Sequence, residues 1–374
     1  MNFDLSEEQQ LIADSVRRFV DDNYDLEKRK KYTSSTRGFG DDNWRTMAEL
    51  GWLGLPFGEA DGGFGGNQID VMLVMEQFGR GLVVEPYLPS VVLGGGAVRR
   101  GGSAALRSTI VPAIIDGSVQ LALATMEDQS RFDLNDVLTR ASDDGDHWTL
   151  SGSKTMVING GSATHLVVSC RTAGAQYDEA GITLLLVDAT ASGVERRSFA
   201  TVDGLQAAEI TFNNVQVPRD NTLGEPGNGY ALLHDVVLDG ILAICAEAVG
   251  AMEMLYKDTI EYTQQRVQFD HPLSDFQVLQ HRMVEMFMEY EQCKSMLLRA
   301  TMEVAASGSG ATRTVHALKA LVGKQAIFVG ENAVQLHGGM GMTEELRIGH
   351  YFKRLLVIDA MFGNADHHLY RFAA

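Results

Sequence analysis

Apolar residues in the first third of the chain recur with the spacing of amphipathic helices. Ser6 followed by Gln9 has the pattern of a helix capping box. The apolar residues after this box fall on one helical face: Ile12, Val16, Phe19 and Val20. Two further helices are predicted at 42–50 and 69–78. The pattern therefore predicts an N-terminal helical domain over residues 1–118.

The period of the pattern changes near residue 120. Short runs that alternate or are rich in β-branched residues follow, at 120–125, 148–150, 166–170, 182–187 and 209–212. Several short strands separated by turn residues are typical of a compact antiparallel barrel or sandwich. We therefore predict that the middle domain, over 119–222, is an antiparallel β-barrel.

Helical periodicity returns at residue 230. Four long amphipathic segments joined by short loops are predicted at 230–266, 273–306, 311–337 and 344–359. Such segments pack as antiparallel neighbours, so the sequence predicts a four-helix bundle over 223–374. The predicted fold class is α+β and multidomain, with a helical domain, a β-barrel and a helical bundle in that order.

Charge and cysteine content narrow the classes of function. With 31 basic and 49 acidic residues the chain has a formal net charge of −18, which disfavours binding to nucleic acid or to an anionic membrane surface. The cysteines Cys170, Cys245 and Cys293 are widely spaced, which indicates neither a disulfide framework nor a zinc site. No apolar run approaches the roughly 20 residues that span a bilayer. We expect a cytoplasmic protein without a metal.

Four sequence motifs follow one another along the chain. They are Leu-Gly-Trp-Leu-Gly-Leu at 50–55, Gly-Ser-Lys at 152–154 with Ile-Asn-Gly at 158–160, Arg-Val-Gln-Phe at 266–269 with Phe276, Gln277 and Gln280, and Gln-Leu-His-Gly-Gly-Met-Gly at 335–341. Together they resemble the motifs of the acyl-CoA dehydrogenase family, and the resemblance covers essentially the whole chain. More specifically, the chain resembles the smaller subunit of bacterial heteromeric acyl-CoA dehydrogenases such as pimeloyl-CoA dehydrogenase.

The resemblance implies FAD-dependent α,β-desaturation of an acyl-CoA thioester. In this family a carboxylate removes the proton next to the thioester carbonyl, and the flavin accepts the β-hydride. Each flavin lies between two subunits, of which one holds the ring and the other binds the pyrophosphate and adenine. Electrons generally pass on to an electron-transferring flavoprotein. The implied partners are therefore an acyl-CoA substrate, a second subunit and this flavoprotein.

The family residues that bind the pyrophosphate and adenine are present. By resemblance, Arg266 pairs with the pyrophosphate through its planar guanidinium, and glycines let the backbone approach the nucleotide. The implied cofactor-binding residues are Arg266, Gln268, Phe269, Gln277, Gln335, Gly338 and Gly339. We call 266–269 and 335–341 the clamp segments. Residue type leaves a second interpretation open, in which Arg266 only stabilises the C-terminus of a helix.

The family residues that hold the flavin ring are replaced. By resemblance, Ile158 replaces a threonine whose hydroxyl contacts the ring, and Met156 replaces a tryptophan beside it. Because an isoleucine side chain has no hydrogen-bond donor, the polar edge of a ring at this place would be unsatisfied. Glu127 and Ser130 match the family pattern, but they are equally typical of a surface loop.

The usual catalytic base is also replaced, since Phe362 occupies the position of the family's glutamate. Some members carry the base early in the first bundle helix, at a place that corresponds to Gly240, and the adjacent Asp239 is acidic. A shift by one residue turns a helical side chain by about 100°, so Asp239 is a candidate base only if the helix is turned. A solvated or capping role is the other interpretation of Asp239.

Three hypotheses about function follow. The chain is the clamp subunit of an α2β2 enzyme whose paralogous partner supplies the base and the ring site. Alternatively, it is a self-sufficient homotetramer in which Asp239 is the relocated base. The third hypothesis is a non-catalytic acyl-CoA-binding or scaffold protein that retains the fold. Pimeloyl-type, medium-chain and steroid side-chain thioesters are all compatible with the sequence.

Overall fold

The computed structural model describes residues 5–374, which form helical segments on both sides of a sheet-forming segment. The α-helices are α1 (Glu7–Asn23), α2 (Leu26–Thr33), α3 (Asp41–Glu49), α4 (Gln68–Gly81), α5 (Gly95–Gly101), α6 (Ala104–Ile115), α7 (Gly229–Gln265), α8 (Gln277–Ser307), α9 (Thr312–His337), α10 (Arg347–Ala360) and α11 (Ala365–Ala373). A buried π-helix, Leu88–Gly94, leads directly into α5.

The strands lie between α6 and α8. They are β1 (Leu121–Ala124), β2 (Arg140–Asp143), β3 (His147–Ile158), β4 (His165–Arg171), β5 (Ile182–Asp188), β6 (Val194–Ala200), β7 (Gln206–Pro218), β8 (Thr222–Leu223), β9 (Val267–Gln268) and β10 (His271–Pro272). All five predicted strand runs are confirmed as strands, while β2 and β6 were not predicted because their short polar sequences carry little alternation.

The predicted start of the first helix is confirmed in detail. The Ser6 hydroxyl accepts a hydrogen bond from the Gln9 backbone N–H at 3.2 Å, and the Gln9 side chain accepts one from the Ser6 N–H at 3.1 Å. Of the predicted apolar face, Val16, Phe19 and Val20 are buried. The capping box therefore begins α1 where the sequence places it, because both partners lie within one helical turn.

The predicted closed antiparallel barrel is wrong. The sheet has eight strands in the order β6–β7–β3–β2–β4–β5–β8, and β1 pairs with β4 off this path. Within the described residues no pairing joins the terminal strands β6 and β8, and both β1 and β2 run parallel to β4. The ends stay open because β8 has two residues and β6 presents exposed charged residues, which protect an edge from pairing.

The four long helices of the C-terminal third are confirmed as α7 to α10, while α11 was not predicted. The second of them begins at Gln277 and not at residue 273, because the hairpin β9–β10 and a 3₁₀ turn at Leu273–Asp275 precede it. Helix α9 packs against α8, α10 and α11. The finer description as an antiparallel four-helix bundle stays a prediction.

Contacts divide the chain into two compact units. Unit 1 comprises Met1–Lys31, Gln68–Val83 and Ile241–Ala374, and unit 2 comprises Tyr32–Asn67 and Val84–Gly240. The boundary therefore falls inside α7. Among residues 5–374 no helix is long and apolar enough to cross a membrane.

Unit 1 contains a close crossing of α4 and α7. A Cβ atom on Gly79 would overlap the carbonyl oxygen of Glu247, and one on Gly250 would overlap that of Glu76. The two glycines therefore let the helix backbones touch. The same two glutamates form ion pairs with Arg354 of α10 and Lys294 of α8 respectively, so each of the crossing helices is also tied to a further helix of unit 1.

Candidate functional site

The first clamp segment is an exposed hairpin immediately after α7. The Arg266 backbone N–H donates to the carbonyl oxygen of Tyr262 at 2.8 Å, which closes the last helical turn. The turn between β9 and β10 is Phe269-Asp270, with φ angles of 55° and 64°. Two left-handed residues define a type I′ turn, which non-glycine residues adopt at a cost in strain. This strained turn leaves Phe269 85% exposed.

The side chains of the first clamp segment are exposed. No hydrogen bond or ion pair engages the Arg266 guanidinium among residues 5–374, and the residue is exposed. The Phe269 ring lies edge-on to that of Phe276, at 6.3 Å between centroids. Gln268 and Gln277 are also exposed. Arg266 still follows the negative end of α7 directly, so the helix-stabilising interpretation is compatible with the same geometry.

The second clamp segment ends α9. Gln335 is exposed, and Gly338 has φ +59° and ψ −140°, a conformation that side chains rarely adopt. A Cβ atom on Gly338 or Gly339 would meet nothing within 4 Å, whereas one on Gly341 would lie 2.8 Å from the Val334 carbonyl oxygen. The first two glycines therefore keep open space next to bare backbone, and the third serves packing.

A pair of aromatic residues that the sequence analysis missed joins the two clamp segments. The rings of Tyr262 and His337 stack with centroids 4.2 Å apart and planes 26° apart. The Tyr262 hydroxyl donates to the His337 carbonyl oxygen at 3.4 Å. His337 Nδ1 donates to the Ala333 carbonyl oxygen at 2.8 Å, and burial lowers the pKa of its imidazole. The available signal was their spacing: Tyr262 lies one turn before Arg266, and His337 directly precedes Gly338.

The ring side of the predicted site carries no hydroxyl at the expected place. Met156 lies at an irregularity of the β3–β7 register, with φ +50° and 39% exposure. Ile158 is half-buried and pairs with Ala207 across the sheet. The structure therefore presents two apolar side chains where the family has an aromatic ring and a hydrogen-bond donor.

Glu127 and Ser130 are buried, so their interpretation as surface loop residues is wrong. Glu127 accepts hydrogen bonds from Lys154 Nζ at 2.7 Å, from the N–H groups of Leu138 and Thr139, and from the Gln129 side chain. Ser130 accepts the Glu127 N–H at 2.9 Å. Burial alone would raise the pKa of the Glu127 carboxyl, but the Lys154 ammonium and these hydrogen bonds lower it. Both residues therefore hold the loop that follows β1.

Phe362 lies in a tight turn that two buried side chains anchor. It has φ +58°, and its carbonyl oxygen accepts a hydrogen bond from His368 Nε2 at 3.0 Å. Lys319 Nζ donates to the carbonyl oxygens of Asp359 and Gly363, both at 2.8 Å. The turn therefore keeps a defined shape but carries a phenyl ring and no carboxylate at the base position. The Asp359 side chain instead accepts the N–H of Ala365 at 3.0 Å.

Asp239, the candidate relocated base, is held by arginines of α5. Its carboxylate lies 2.6 Å from Arg100 Nη2 and 3.6 Å from Arg99 Nη2, and the side chain is 11% exposed. Two guanidinium groups stabilise the carboxylate and orient it toward α5. The structure thus gives Asp239 an ion-pair role, while its role as a base stays a prediction. No group of three potential ligands that could hold a metal ion occurs within 5–374.

Comparisons with known proteins agree along the whole chain. Family models described as acyl-CoA dehydrogenase N-terminal, middle and C-terminal domains match residues 6–118, 122–215 and 227–374. A probable acyl-CoA dehydrogenase of Bacillus subtilis, YngJ, is 27% identical over 350 residues, which are 92% of this chain and 91% of that protein. The caffeyl-CoA reductase–Etf complex subunit CarC of Acetobacterium woodii is 26% identical over 86% of this chain and 85% of its own length.

A solved structure is similar over nearly its full length. It is a variant of a steroid ACAD named Tcur3481-Tcur3483, which is 27% identical, has a TM-score of 0.89, and covers 98% of this chain and 97% of its own.

The residues present fit one end of FAD. An exposed guanidinium without a partner among the described residues and two glycines with open space suit a diphosphate, because a planar fork of donors binds phosphate oxygens closely and the absence of side chains lets the group approach the backbone. Met156 and Ile158 offer no donor to a flavin ring. That these residues bind the phosphate end of FAD in this chain stays a prediction. The chain belongs to the acyl-CoA dehydrogenase family, whose members are FAD-dependent oxidoreductases.

Proposed function

We propose that this chain is the clamp subunit of a heteromeric FAD-dependent acyl-CoA dehydrogenase that desaturates an acyl-CoA thioester. Its paralogous partner in an α2β2 assembly supplies the base and the ring site. One observation carries this proposal. Arg266 and Phe269 are exposed, and the Arg266 guanidinium has no partner among the described residues, while Phe362 occupies the position that the resemblance assigns to the base. The division into domains at 1–118, 119–222 and 223–374 is part of the same proposal.

The charge of the chain supports a specific role for Arg266. The net charge is −18, so the average field of the chain repels a diphosphate. A local cation without an acidic partner is therefore needed at any phosphate site. Arg266 meets this requirement, and its exposure leaves the five N–H donors of its guanidinium available to a group on another subunit.

The other half of the site lacks the groups that the reaction needs. FAD, when bound, supplies the acceptor for the β-hydride. Removal of the α-proton needs a carboxylate within hydrogen-bond reach, and the phenyl ring of Phe362 cannot accept a proton. Met156 and Ile158 cannot donate to a flavin. The loss of both functions on one side, with the clamp segments intact, favours a division of labour between two chains.

The names of relatives support the proposed partners. The steroid ACAD structure carries two joined protein names, and CarC is named as a subunit of a complex with Etf. We propose by analogy an acyl-CoA thioester as substrate and an electron-transferring flavoprotein as electron acceptor. A steroid side-chain thioester is one member of this substrate class.

Purification of the chain alone and with its paralogous partner tests the proposal. We expect the chain alone to bind less than one flavin per chain and to show no turnover, and the complex to be yellow and active. Full flavin loading and turnover by the chain alone would establish the homotetramer with a relocated base. A colourless preparation with every partner would establish the non-catalytic scaffold.

Two variants of the complex assign the half-sites. Arg266→Ala removes a charge-assisted hydrogen bond worth about 1.5–3 kcal/mol, so the affinity for FAD should fall about 10- to 150-fold. Phe362→Glu should add little activity, because Met156 and Ile158 still offer no donor to a flavin ring. Arg45→Ala, which removes an exposed arginine that pairs with Asp42, is the control and should leave FAD affinity unchanged. Normal flavin binding by Arg266→Ala together with doubled activity of Phe362→Glu would reverse the assignment.

A further inference from the structure

Two contacts to α7 flank the glycines of the second clamp segment. Directly before Gly338, the His337 ring stacks on Tyr262, and the Tyr262 hydroxyl donates to the His337 carbonyl oxygen. Beyond the end of the segment, Arg347 forms a bidentate ion pair with Asp258, with two N–O distances of 2.6 Å. Asp258 and Tyr262 are four residues apart on α7, so the two contacts lie on one face of the same helix.

The same face of α7 also provides the backbone contact that positions Arg266. Arg266 is four residues after Tyr262, and its N–H donates to the Tyr262 carbonyl oxygen at 2.8 Å. Tyr262 therefore supplies both the ring that stacks on His337 and the backbone acceptor of the turn that carries Arg266. His337 in turn precedes Gly338, whose N–H donates to the Gln335 carbonyl oxygen and ends α9. The stacked pair thus connects the backbone of both clamp segments through one contact.

We propose that Tyr262 and His337 are positioning residues that hold the two clamp segments in register for a diphosphate-containing nucleotide on the partner subunit. This inference rests on the proposed clamp function. The ion pair of Asp258 with Arg347 supports the stack by fixing the far end of the glycine turn. Neither aromatic residue touches the cofactor in this proposal, and both act through Arg266 and the Gly338–Gly339 backbone.

The chemistry of the pair suits this role. An imidazole that donates Nδ1–H to the Ala333 carbonyl oxygen has a fixed ring plane, and burial lowers the pKa of His337 so that the neutral form persists. A stacked neutral ring orients Tyr262 without adding a charge to the pair. The free energy of an aromatic pair corresponds to about a 2- to 12-fold change in an equilibrium constant. We expect FAD binding to weaken by this factor when the stack is lost.

The experiment measures the FAD dissociation constant of the chain in complex with its paralogous partner, by flavin fluorescence after equilibrium dialysis. His337→Ala removes the ring, and His337→Phe retains a ring that can stack. Tyr262→Leu removes the stack from the other side. Phe372→Ala, which removes a contact of Phe372 with Arg313 outside the clamp segments, is the matched control. Each variant is also combined with Arg266→Ala in a double-mutant cycle.

The proposal predicts weaker FAD binding in His337→Ala and Tyr262→Leu, recovery in His337→Phe, and no further loss when either variant is combined with Arg266→Ala. Full additivity with Arg266→Ala, or unchanged FAD affinity in both single variants, would overturn the positioning role. Failure of both single variants to fold would also overturn it, because the pair would then be a core element. If Arg266→Ala alone leaves FAD affinity unchanged, the proposed clamp function itself is wrong, so the two failures are distinguishable.

Discussion

Replacement of Lys154 by methionine is a direct test of how the loop that contains Glu127 is held. Lys154 is fully buried, and its ammonium donates to Glu127 at 2.7 Å, to Ser169 Oγ at 3.1 Å and to the Thr125 carbonyl oxygen at 3.2 Å. Lys154→Met keeps the volume of the side chain but leaves the Glu127 carboxylate without its counterion. Removal of one partner of a buried pair costs about 3–5 kcal/mol.

The structure places the expected cost at the lower end of this range. The Glu127 carboxylate keeps three other donors, from the Leu138 and Thr139 backbone and from Gln129. We therefore expect Lys154→Met to lower the free energy of unfolding of the sheet by about 3 kcal/mol. Adding Glu127→Gln removes the unpaired charge and keeps one of the two oxygens that accept the Leu138 and Thr139 N–H groups, so the double variant should recover part of the loss.

Native-state hydrogen exchange on peptides that cover 121–171 measures this change where it occurs. Lys353→Met is the control, because Lys353 pairs with Glu344 at an exposed site and such pairs contribute about 0–1 kcal/mol. The low pKa of Glu127 adds a second readout. A carboxyl with a lowered native pKa stabilises the fold above its unfolded pKa, and this contribution is lost as the pH falls through the native value. Unchanged exchange protection in Lys154→Met, at neutral pH, would refute the reasoning.

Three further predictions concern other parts of the chain. Gly250→Ala should destabilise unit 1 by about 3 kcal/mol or more in urea unfolding, because its Cβ would overlap the Glu76 carbonyl oxygen, whereas Gly58→Ala meets open space and should change stability by less than about 0.5 kcal/mol. Burial, with Lys319 and His316 nearby, lowers the pKa of His368 to about 3. The unfolded chain therefore binds an extra proton below about pH 6.5, so the free energy of unfolding should fall as the pH is lowered from 6.5 towards 3. The same pH series on His368→Gln should show a shallower slope. Asp239→Asn should lower the free energy of unfolding by about 1–3 kcal/mol, because Arg100 loses its charged partner. The turnover of the complex should stay within twofold, and a loss of turnover of about 10²-fold or more would instead identify Asp239 as the base.

Local sequence patterns determine most of the helices and strands of this protein. The α1 capping box, the five predicted strands and the four long C-terminal helices depend on neighbours within one or two turns, which the spacing of apolar residues encodes directly. The sequence also indicates the two clamp segments, because Arg266 and Gly338 occur in short motifs with fixed spacing. Their exposure at the ends of α7 and α9 follows from the places where those helices stop.

Contacts between distant segments were decided only by the tertiary structure. The sequence around Glu127 is typical of a surface loop, but the fold pairs Glu127 with Lys154. Asp239 likewise pairs with Arg100, which lies 139 residues earlier in the chain. The stack of Tyr262 on His337 spans 75 residues. The open sheet depends on which strands become neighbours, and periodicity carries no information on pairing order or direction. The sequence thus determines which residues are available for a site, and packing determines which of them are already engaged by the fold.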